Sequence, residues 1–176
     1  AEELYHDDHW RRQLLGLSGR VPALSMVPLS RRGIIDIPLV GRASELQQLR
    51  SCTGDLVLRG RPGIGKTFLL RALAHEGWGV FLVSDEWTEI ANDIRRMTPE
   101  RVIVDDAHFA RGAVTRLRQL RAQIGREFAI VATCWPDWEH DPATEMDTYT
   151  EVRLDPLTRD EILDTLLVQG ILNPDA

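Results

Sequence analysis

The stretch "GRPGIGKT", residues 60–67, has the spacing G-x-x-x-x-G-K-[ST] and contains Lys66, the only lysine of the chain. Every other residue among the 21 Lys+Arg is an arginine. A lysine side chain carries a compact charge on a flexible stem, whereas the guanidinium group of arginine is planar and bulkier. The single lysine therefore indicates a position where a small cation must reach into a confined space.

The residues around Lys66 indicate a ligand that carries phosphates. Gly60, Gly63 and Gly65 are expected to allow positive φ angles and a close approach of backbone N–H groups to phosphate oxygens. Lys66 then reaches the β- and γ-phosphates, and Thr67 offers a hydroxyl group to Mg²⁺. The following helix favours an anion at its N-terminus. The motif predicts a phosphate-binding loop for ATP or ADP with Mg²⁺, and the alternative is a glycine-rich turn that matches by chance.

The sequence on both sides of the loop favours the first interpretation. Leu56, Val57 and Leu58 precede it as a short apolar run typical of a strand. Apolar residues then recur at helical spacing from Phe68 until Gly77 ends the segment. A strand, a glycine loop and a helix form the context that the motif requires. We therefore assign to nucleotide binding Gly60, Arg61, Pro62, Gly63, Ile64, Gly65, Lys66, Thr67 and Phe68.

The composition indicates one domain with a substantial core, since the chain has 176 residues and is 43% hydrophobic. No apolar run is long enough to cross a membrane and no signal-peptide pattern is present, which favours a cytoplasmic protein without a membrane partner. Cys52 and Cys134 lie in such different contexts that reduced thiols are expected rather than a disulfide.

Charge is distributed unevenly along the chain, whose formal net charge is −6. Residues 1–72 hold 11 Lys+Arg and 7 Asp+Glu, while residues 73–176 hold 10 and 20. A basic N-terminal half could contact nucleic acid or an acidic partner. Charge balance inside a larger assembly is the favoured interpretation, so a nucleic-acid partner is disfavoured but stays open.

The rest of the chain alternates between strand and helix patterns. Strands are predicted before the loop and at 79–83, 101–106, 128–133 and 149–154, and helices at 86–97, 110–125 and 158–170. Thr158 and Glu161 form a predicted capping box for the last helix. The pattern predicts an α/β three-layer sandwich with a mainly parallel, five-stranded sheet. In residues 1–34 we expect a helix over "EELYHDDHWRRQLLGL" and a linker over "SGRVPALSMVPLSRRG".

A second chemical site is predicted at "RVIVDDAH", where Asp105 and Asp106 follow a buried strand. An acid at the end of such a strand holds Mg²⁺ in P-loop NTPases, and the next acid can polarise the attacking water. Two adjacent carboxylates at a buried strand end are costly without a cation, although an exposed turn is the alternative. Asp106 is shorter than a glutamate, so we expect slow turnover.

Beyond these motifs, the sequence resembles the AAA+ and STAND-type ATPases, a group that includes the NACHT and NB-ARC branches. The segment "PLVGR" (38–42), followed by "ASELQQL", is similar to the entry motif of that family. The segments "VLRGRPGIGKTFLLRALA", "VIVDDAH", "IVAT" and "RLDPLTRDEILDTLL" follow in the order and at the spacings of the STAND nucleotide-binding domain. The resemblance covers residues 35–170 and implies the P-loop NTPase fold.

The resemblance also implies roles for individual residues. Val40, Gly41 and Arg42 would lie beside the adenine base, and Pro156 and Leu157 would close that side of the site. Thr133 would sense the γ-phosphate. We therefore take Lys66, Asp105, Asp106 and Thr133 as the catalytic set, and Thr67 and Asp105 as the magnesium ligands.

The chain departs from the family's pattern after the sensor threonine. Many STAND proteins have an arginine soon after the sensor threonine, where this chain has Cys134 and Trp135. Arg126, before the same strand, is a weak candidate for an arginine finger acting on a neighbour. The family's lid and winged-helix domains would begin near Ala176. We accordingly divide the chain into a segment 1–34 and a nucleotide-binding domain 35–176.

Three classes of function fit these observations. The first is a signalling switch in which bound ADP or ATP controls self-association, with weak ATPase activity. The second is an AAA+ motor or loader acting on nucleic acid or protein, and the third is a nucleotide-binding scaffold without turnover. Motif order and short loops favour the first. His108 is expected behind the acids or on the surface. Trp135 and Trp138 are expected to pack within a loop, and contact with a partner is the alternative.

Overall fold

A six-stranded sheet forms the centre of the structure, a computed structural model that describes residues 22–28 and 41–168. The strands are β1 (Leu24–Ser25), β2 (Leu56–Arg59), β3 (Val80–Leu82), β4 (Arg101–Val104), β5 (Ala129–Cys134) and β6 (Thr150–Arg153). They lie in the order β1-β3-β4-β5-β2-β6, and all neighbours are parallel except β1 and β3. The predicted α/β fold with a mainly parallel sheet is confirmed, but the sheet is mixed and has six strands instead of five.

The additional strand, β1, lies in the segment that the sequence pattern assigned to a linker. Leu24 pairs with Leu82 of β3, and Val83 donates its N–H to the Ala23 carbonyl at 3.0 Å. The buried carboxylate of Asp93 accepts the Ala23 N–H at 2.8 Å. A strand of two residues has too short a pattern to be recognised from the sequence. The predicted helix near the N-terminus lies outside the described residues, as do the remaining parts of residues 1–34.

Within the described residues, five α-helices and one 3₁₀ helix accompany the strands, and the last helix follows the last strand. They are α1 (Ala43–Ser51), α2 (Lys66–His75), α3 (Trp87–Met97), α4 (Ala113–Ile124), the 3₁₀ helix (Pro142–Glu145) and α5 (Arg159–Val168). The predicted helices at 86–97 and 110–125 correspond to α3 and α4. The capping box of α5 is confirmed, because Thr158 N–H donates to Glu161 Oε2 at 2.7 Å and Glu161 N–H donates to Thr158 Oγ1 at 3.3 Å.

Helices cover both faces of the sheet and bury a separate apolar cluster on each. On one face, α1 and α2 contribute Leu49, Leu69 and Leu73, which pack against residues of β2 and β5. On the other face, α3 and α4 contribute residues such as Ile90 and Leu117. The result is the three-layer arrangement that continuous apolar strands indicate.

The strand order determines which loops meet. Strand β5 lies between β2 and β4, and β6 lies on the outer side of β2. Because these four strands are parallel, their carboxyl ends share one edge of the sheet. The loop of residues 60–65, the acids after β4 and the end of β5 are thereby brought together.

A carboxylate from the 3₁₀ helix stabilises the N-terminus of α4. The N-cap residue of α4, Gly112, has no side chain, and Glu145 accepts the Gly112 N–H at 3.1 Å and the Thr115 N–H at 2.8 Å. The Thr115 hydroxyl donates to the same carboxylate at 2.9 Å. Burial raises the pKa of Glu145, but these hydrogen bonds outweigh it and hold the pKa below the ordinary value of 4.5.

This arrangement predicts a pH-dependent contribution to stability. We expect Glu145→Gln to lower the free energy of unfolding by about 1–2 kcal/mol at pH 7, since a helix cap and a charge-assisted hydrogen bond are lost. The pKa of Glu145 is depressed in the folded state. The difference in free energy of unfolding between wild type and variant is therefore largest above about pH 4.5 and becomes smaller as the pH falls below that value. Urea unfolding of both proteins at pH 7 and pH 3 measures this difference in free energy. A difference that is equal at both pH values would contradict this assignment.

Candidate functional site

The loop between β2 and α2 forms a compact turn at the carboxyl edge of the sheet. Gly60 donates its N–H to the carbonyl of Cys134 at 3.2 Å, which joins the start of the loop to the end of β5. Gly65 has φ 100° and begins α2 without any side-chain cap. The first turn of a helix has N–H groups without intrahelical acceptors, and these favour an anion. The loop therefore suits a phosphate group.

The conformation of Gly60 differs from the expectation. Gly63 and Gly65 have positive φ angles as predicted, but Gly60 does not. A Cβ atom at Gly60 would lie 2.9 Å from Ile64 Cγ2 and 3.3 Å from Leu154 Cβ. The absence of a side chain at position 60 is therefore required by close packing and not by backbone geometry.

Lys66 is buried, with 5% of its surface exposed, and it lies over its own loop. Its Nζ atom donates to the carbonyl oxygens of Gly60 at 2.7 Å and Arg61 at 3.1 Å. Burial lowers the pKa of Lys66, and the nearby charges of Asp106 and Asp105 oppose this effect. The ammonium group can exchange its hydrogen bonds to these two carbonyl oxygens for hydrogen bonds to phosphate oxygens.

Asp105 connects the loop to the end of β5. Its Oδ2 accepts a hydrogen bond from Thr67 Oγ1 at 2.8 Å, and its Oδ1 accepts one from Thr133 Oγ1 at 2.7 Å. Burial raises the pKa of Asp105, whereas the hydroxyl groups of Thr133 and Thr67 favour the carboxylate and limit this increase. Three of the residues assigned from the sequence thus form one hydrogen-bonded chain.

Asp106 has an uncommon backbone conformation with φ 49°. Its N–H donates to Thr133 Oγ1 at 2.7 Å, so the same threonine supports both acids. Aspartate tolerates the left-handed region better than most residues, and such conformations occur often at functional sites. The fully buried Thr133 therefore has a clear structural role in holding Asp105 and Asp106 in place.

The donor atoms at this place fit a magnesium ion. The hydroxyl of Thr67 and the carboxylate of Asp105 are hard oxygen ligands, and Mg²⁺ is commonly held by one or two carboxylates together with phosphates and water. Within residues 22–28 and 41–168, no group of three His, Cys, Asp or Glu side chains could hold a metal by itself.

Residues expected beside the base also come together, as far as they are described. Arg42 is buried, and its Nη2 donates to the Ile64 carbonyl at 3.2 Å. A Cβ atom at Gly41 would lie 2.9 Å from Glu161 Cβ and 3.2 Å from Leu157 Cδ2. Pro156 is exposed, and Val40 lies outside the described residues. The entry segment, the loop and the start of α5 therefore meet at one place.

An aromatic cluster lies next to the acids, and it confirms the expected packing of Trp135 against Trp138 but adds His108 and Phe109, which were not expected in it. The ring of His108 lies 4.1 Å from that of Phe109 and 4.8 Å from that of Trp135, between ring centroids. His108 is 1% exposed, so it is not a surface residue. Burial lowers the pKa of His108. For His108 itself, the sequence signal was its position two residues after Asp106.

The structure also describes Arg126 and the two cysteines that the sequence analysis considered. Arg126 is exposed before β5, at the amino ends of the strands, whereas the acids and the loop lie at the carboxyl ends. Cys134 is a free, buried thiol whose pKa burial raises to about 11, and Cys52 is also free. Neither Arg126 nor Cys134 makes a hydrogen bond to Lys66 or the acids of the described site.

Comparison with known proteins does not identify a family. A scan against protein-family models finds no match, and a search of curated proteins finds none either. In the part of the chain that the structure describes, no helix is long and apolar enough to cross a bilayer.

Proposed function

We propose that this protein binds ATP and ADP with Mg²⁺ and works as a STAND-type signalling switch with slow ATP hydrolysis. The observation that supports this most is the hydrogen bond of 2.8 Å between Thr67 Oγ1 and Asp105 Oδ2. It joins a hydroxyl at the start of α2 to a carboxylate 38 residues further along the chain. A P-loop NTPase needs these two ligands at the same place.

Each residue of the site has a role in this proposal. The N–H groups at the start of α2 and the ammonium group of Lys66 bind the β- and γ-phosphates. Thr67 and Asp105 hold Mg²⁺, which neutralises charge on the phosphate oxygens when it is bound. Thr133 orients both acids through its hydroxyl group. Gly41, Arg42 and Leu157 would lie beside the base.

Asp106 is the candidate for orienting the attacking water. Its N–H is fixed by Thr133, and its charge lies near enough to Lys66 to favour the charged form of that lysine. An aspartate reaches less far than a glutamate would from the same backbone position. We therefore propose hydrolysis that is slow, which is suited to a switch and not to a motor.

The arrangement of Arg42 supports the switch component of the proposal. The hydrogen bond from Arg42 to Ile64, together with the packing of Gly41 on Glu161 and Leu157, joins three separate segments around the loop. A ligand shifts a conformational equilibrium only through its different affinity for the two states. A nucleotide that contacts all three segments can shift such an equilibrium. In the proposed switch, this shift controls self-association.

Turnover tests the role of Asp106. We expect Asp106→Asn to lower the steady-state rate of ATP hydrolysis by about a hundredfold, as for loss of a general base or water-positioning group. The affinity for Mg–ATP should change less than threefold, because Asp106 is not assigned to the metal. A phosphate-release assay and calorimetry on the same preparations measure both quantities.

Two additional measurements complete this test. Asp85→Asn removes the same charge from an exposed aspartate after β3, and should leave hydrolysis unchanged. Adding DNA to the wild-type assay separates the proposed switch from a motor or loader, whose hydrolysis DNA would stimulate. Equal rates for wild type and Asp106→Asn would remove Asp106 from the mechanism.

A further inference from the structure

His108 is a buried polar ring beside the two acids. It lies in the turn that follows β4, two residues after Asp106, and 1% of its surface is exposed, whereas the next residue, Phe109, is 59% exposed. Burying a polar ring is costly, and an apolar side chain would fill the same space without that cost. The nucleotide-binding roles proposed above do not use this ring, so its burial here points to a further role.

The backbone fixes the position of His108 relative to Asp106 and Thr133. The Ala107 N–H donates to the Thr133 carbonyl at 2.8 Å, and the Phe109 N–H donates to the Asp106 carbonyl at 2.9 Å. These two hydrogen bonds hold the chain on both sides of His108. The Asp106 N–H donates to the Thr133 hydroxyl at 2.7 Å, so the acid and the histidine turn are attached to the same residue of β5.

Three aromatic rings restrict the imidazole ring of His108. Its centroid lies 4.1 Å from that of Phe109, 4.8 Å from that of Trp135 and 5.3 Å from that of Trp138. A closely packed ring has few alternative orientations. The two ring nitrogens therefore keep their positions beside the acids while a substrate binds.

The charges around His108 indicate which groups its ring is near. Burial has the largest effect and lowers the pKa of His108 below its ordinary value of 6.5. The carboxylate of Asp106 and the backbone of Thr133 act in the opposite direction, and the charge of Lys66 acts with burial. The ring is therefore neutral at pH 7, with one nitrogen that donates a hydrogen bond and one that accepts.

We propose that His108 is a positioning residue for ATP hydrolysis, which holds the Asp106 carboxylate in the orientation that the attacking water requires. This inference rests on the proposed function. In that reaction the water oxygen forms a bond to the γ-phosphorus, the bond from this phosphorus to the bridging oxygen of ADP breaks, and Asp106 accepts the proton that the water loses.

The role of the ring is to limit the motion of a short side chain. In the nucleotide-bound protein, the nitrogen of His108 that donates forms a hydrogen bond with the Asp106 carboxylate, since catalytic hydrogen bonds often tighten only when the substrate is bound. Small errors in the orientation of a reacting group lower the rate strongly. Loss of this hydrogen bond should therefore affect turnover and not nucleotide affinity.

Steady-state hydrolysis and calorimetry on variants of the intact chain test this role. His108→Phe keeps an aromatic ring in the cluster but removes both nitrogens, and we expect kcat to fall by about tenfold, the effect of losing one hydrogen bond. The dissociation constant for Mg–ATP should change less than twofold, and the melting temperature should not fall. His108→Gln restores a donor and should give a kcat between those of wild type and His108→Phe.

His75→Phe is the matched control for the loss of a histidine. His75 is exposed at the end of α2, so this variant should hydrolyse ATP as fast as the wild type. An equal fall in kcat for His75→Phe and His108→Phe would overturn the proposal. A His108→Phe variant that loses affinity for Mg–ATP in proportion to kcat would assign the ring to nucleotide binding and also overturn it.

A double-mutant cycle shows whether His108 acts through Asp106. We expect His108→Phe to lower kcat by less than twofold in the Asp106→Asn protein, because the group that it positions is already lost. An equal fall in both backgrounds would overturn the proposal. If Asp106→Asn lowers kcat and His108→Phe does not, the proposed function stands and His108 is only part of the core. If the wild type binds Mg–ATP without hydrolysing it, the hydrolytic part of the proposed function fails together with this inference.

Discussion

Replacing Lys66 with alanine is expected to lower the affinity for Mg–ATP and Mg–ADP by about a hundredfold or more. Lys66 is the only lysine, and its Nζ atom lies 2.7 Å from the Gly60 carbonyl at the start of the loop. A charge-assisted hydrogen bond contributes about 1.5–3 kcal/mol, so losing contacts to two phosphates accounts for this factor. Isothermal titration of both nucleotides measures the loss.

The same substitution should leave the fold intact. Burial lowers the pKa of Lys66, so its charge is held at a cost in the folded protein, and removing it should change the melting temperature only slightly. Arg71→Ala removes a cation from the same helix, outside the loop, and provides a control whose nucleotide affinity should be retained. Lys66→Arg keeps the charge but adds a bulkier planar group, and we expect it to bind weakly as well. If Lys66→Ala binds both nucleotides as the wild type does, the loop is not the phosphate site.

The second large effect is expected for Asp105→Asn, which should abolish most of the increase in nucleotide affinity that Mg²⁺ provides. The carboxylate of Asp105 lies 2.8 Å from Thr67 Oγ1, and asparagine keeps its size but not its charge. Loss of one of two protein ligands to a divalent cation should lower Mg²⁺-dependent affinity by about ten- to a hundredfold. Titrations with Mg²⁺ and with EDTA give the two affinities for each protein.

Stability measurements separate this metal role from a structural one. Burial raises the pKa of Asp105, which means that its ionisation costs stability in the folded state. At neutral pH the asparagine variant should therefore be as stable as the wild type or more stable. Asp106→Asn should keep the Mg²⁺ dependence of binding. If the two variants behave alike in binding and hydrolysis, the division of roles between the acids is wrong.

Local patterns in the sequence carried most of the information about the fold. Apolar runs predicted strands β2 to β5, and alternation of apolar and polar residues predicted β6. Helical spacing predicted α3 and α4, and Thr158 with Glu161 predicted the start of α5. Each of these depends on residues close together in the chain. The meeting of Thr67 and Asp105 was also foreseeable, because parallel strands bring their carboxyl ends to one edge of a sheet.

Contacts between distant segments were not foreseeable from such patterns. The buried carboxylate of Asp93 binds the Ala23 N–H, 70 residues away, and this contact accompanies the two-residue strand β1. The close packing of Gly60 on Ile64 and Leu154 has no local signal either. The same holds for the packing of His108 against Trp135 and Trp138, which joins the ends of β4 and β5. Such features depend on the strand order, which hydrophobic periodicity does not specify.

The most direct test of nucleotide binding is calorimetric titration of the unaltered chain with ATP, ADP and AMP in the presence of Mg²⁺. We predict saturable binding of one ATP or ADP per chain, and an affinity for AMP that is lower by about a hundredfold, since AMP lacks the phosphates that Lys66 and Thr67 would contact. No measurable binding of ATP and ADP at millimolar concentration, or AMP binding as tightly as ATP, would contradict a nucleotide site at residues 60–67.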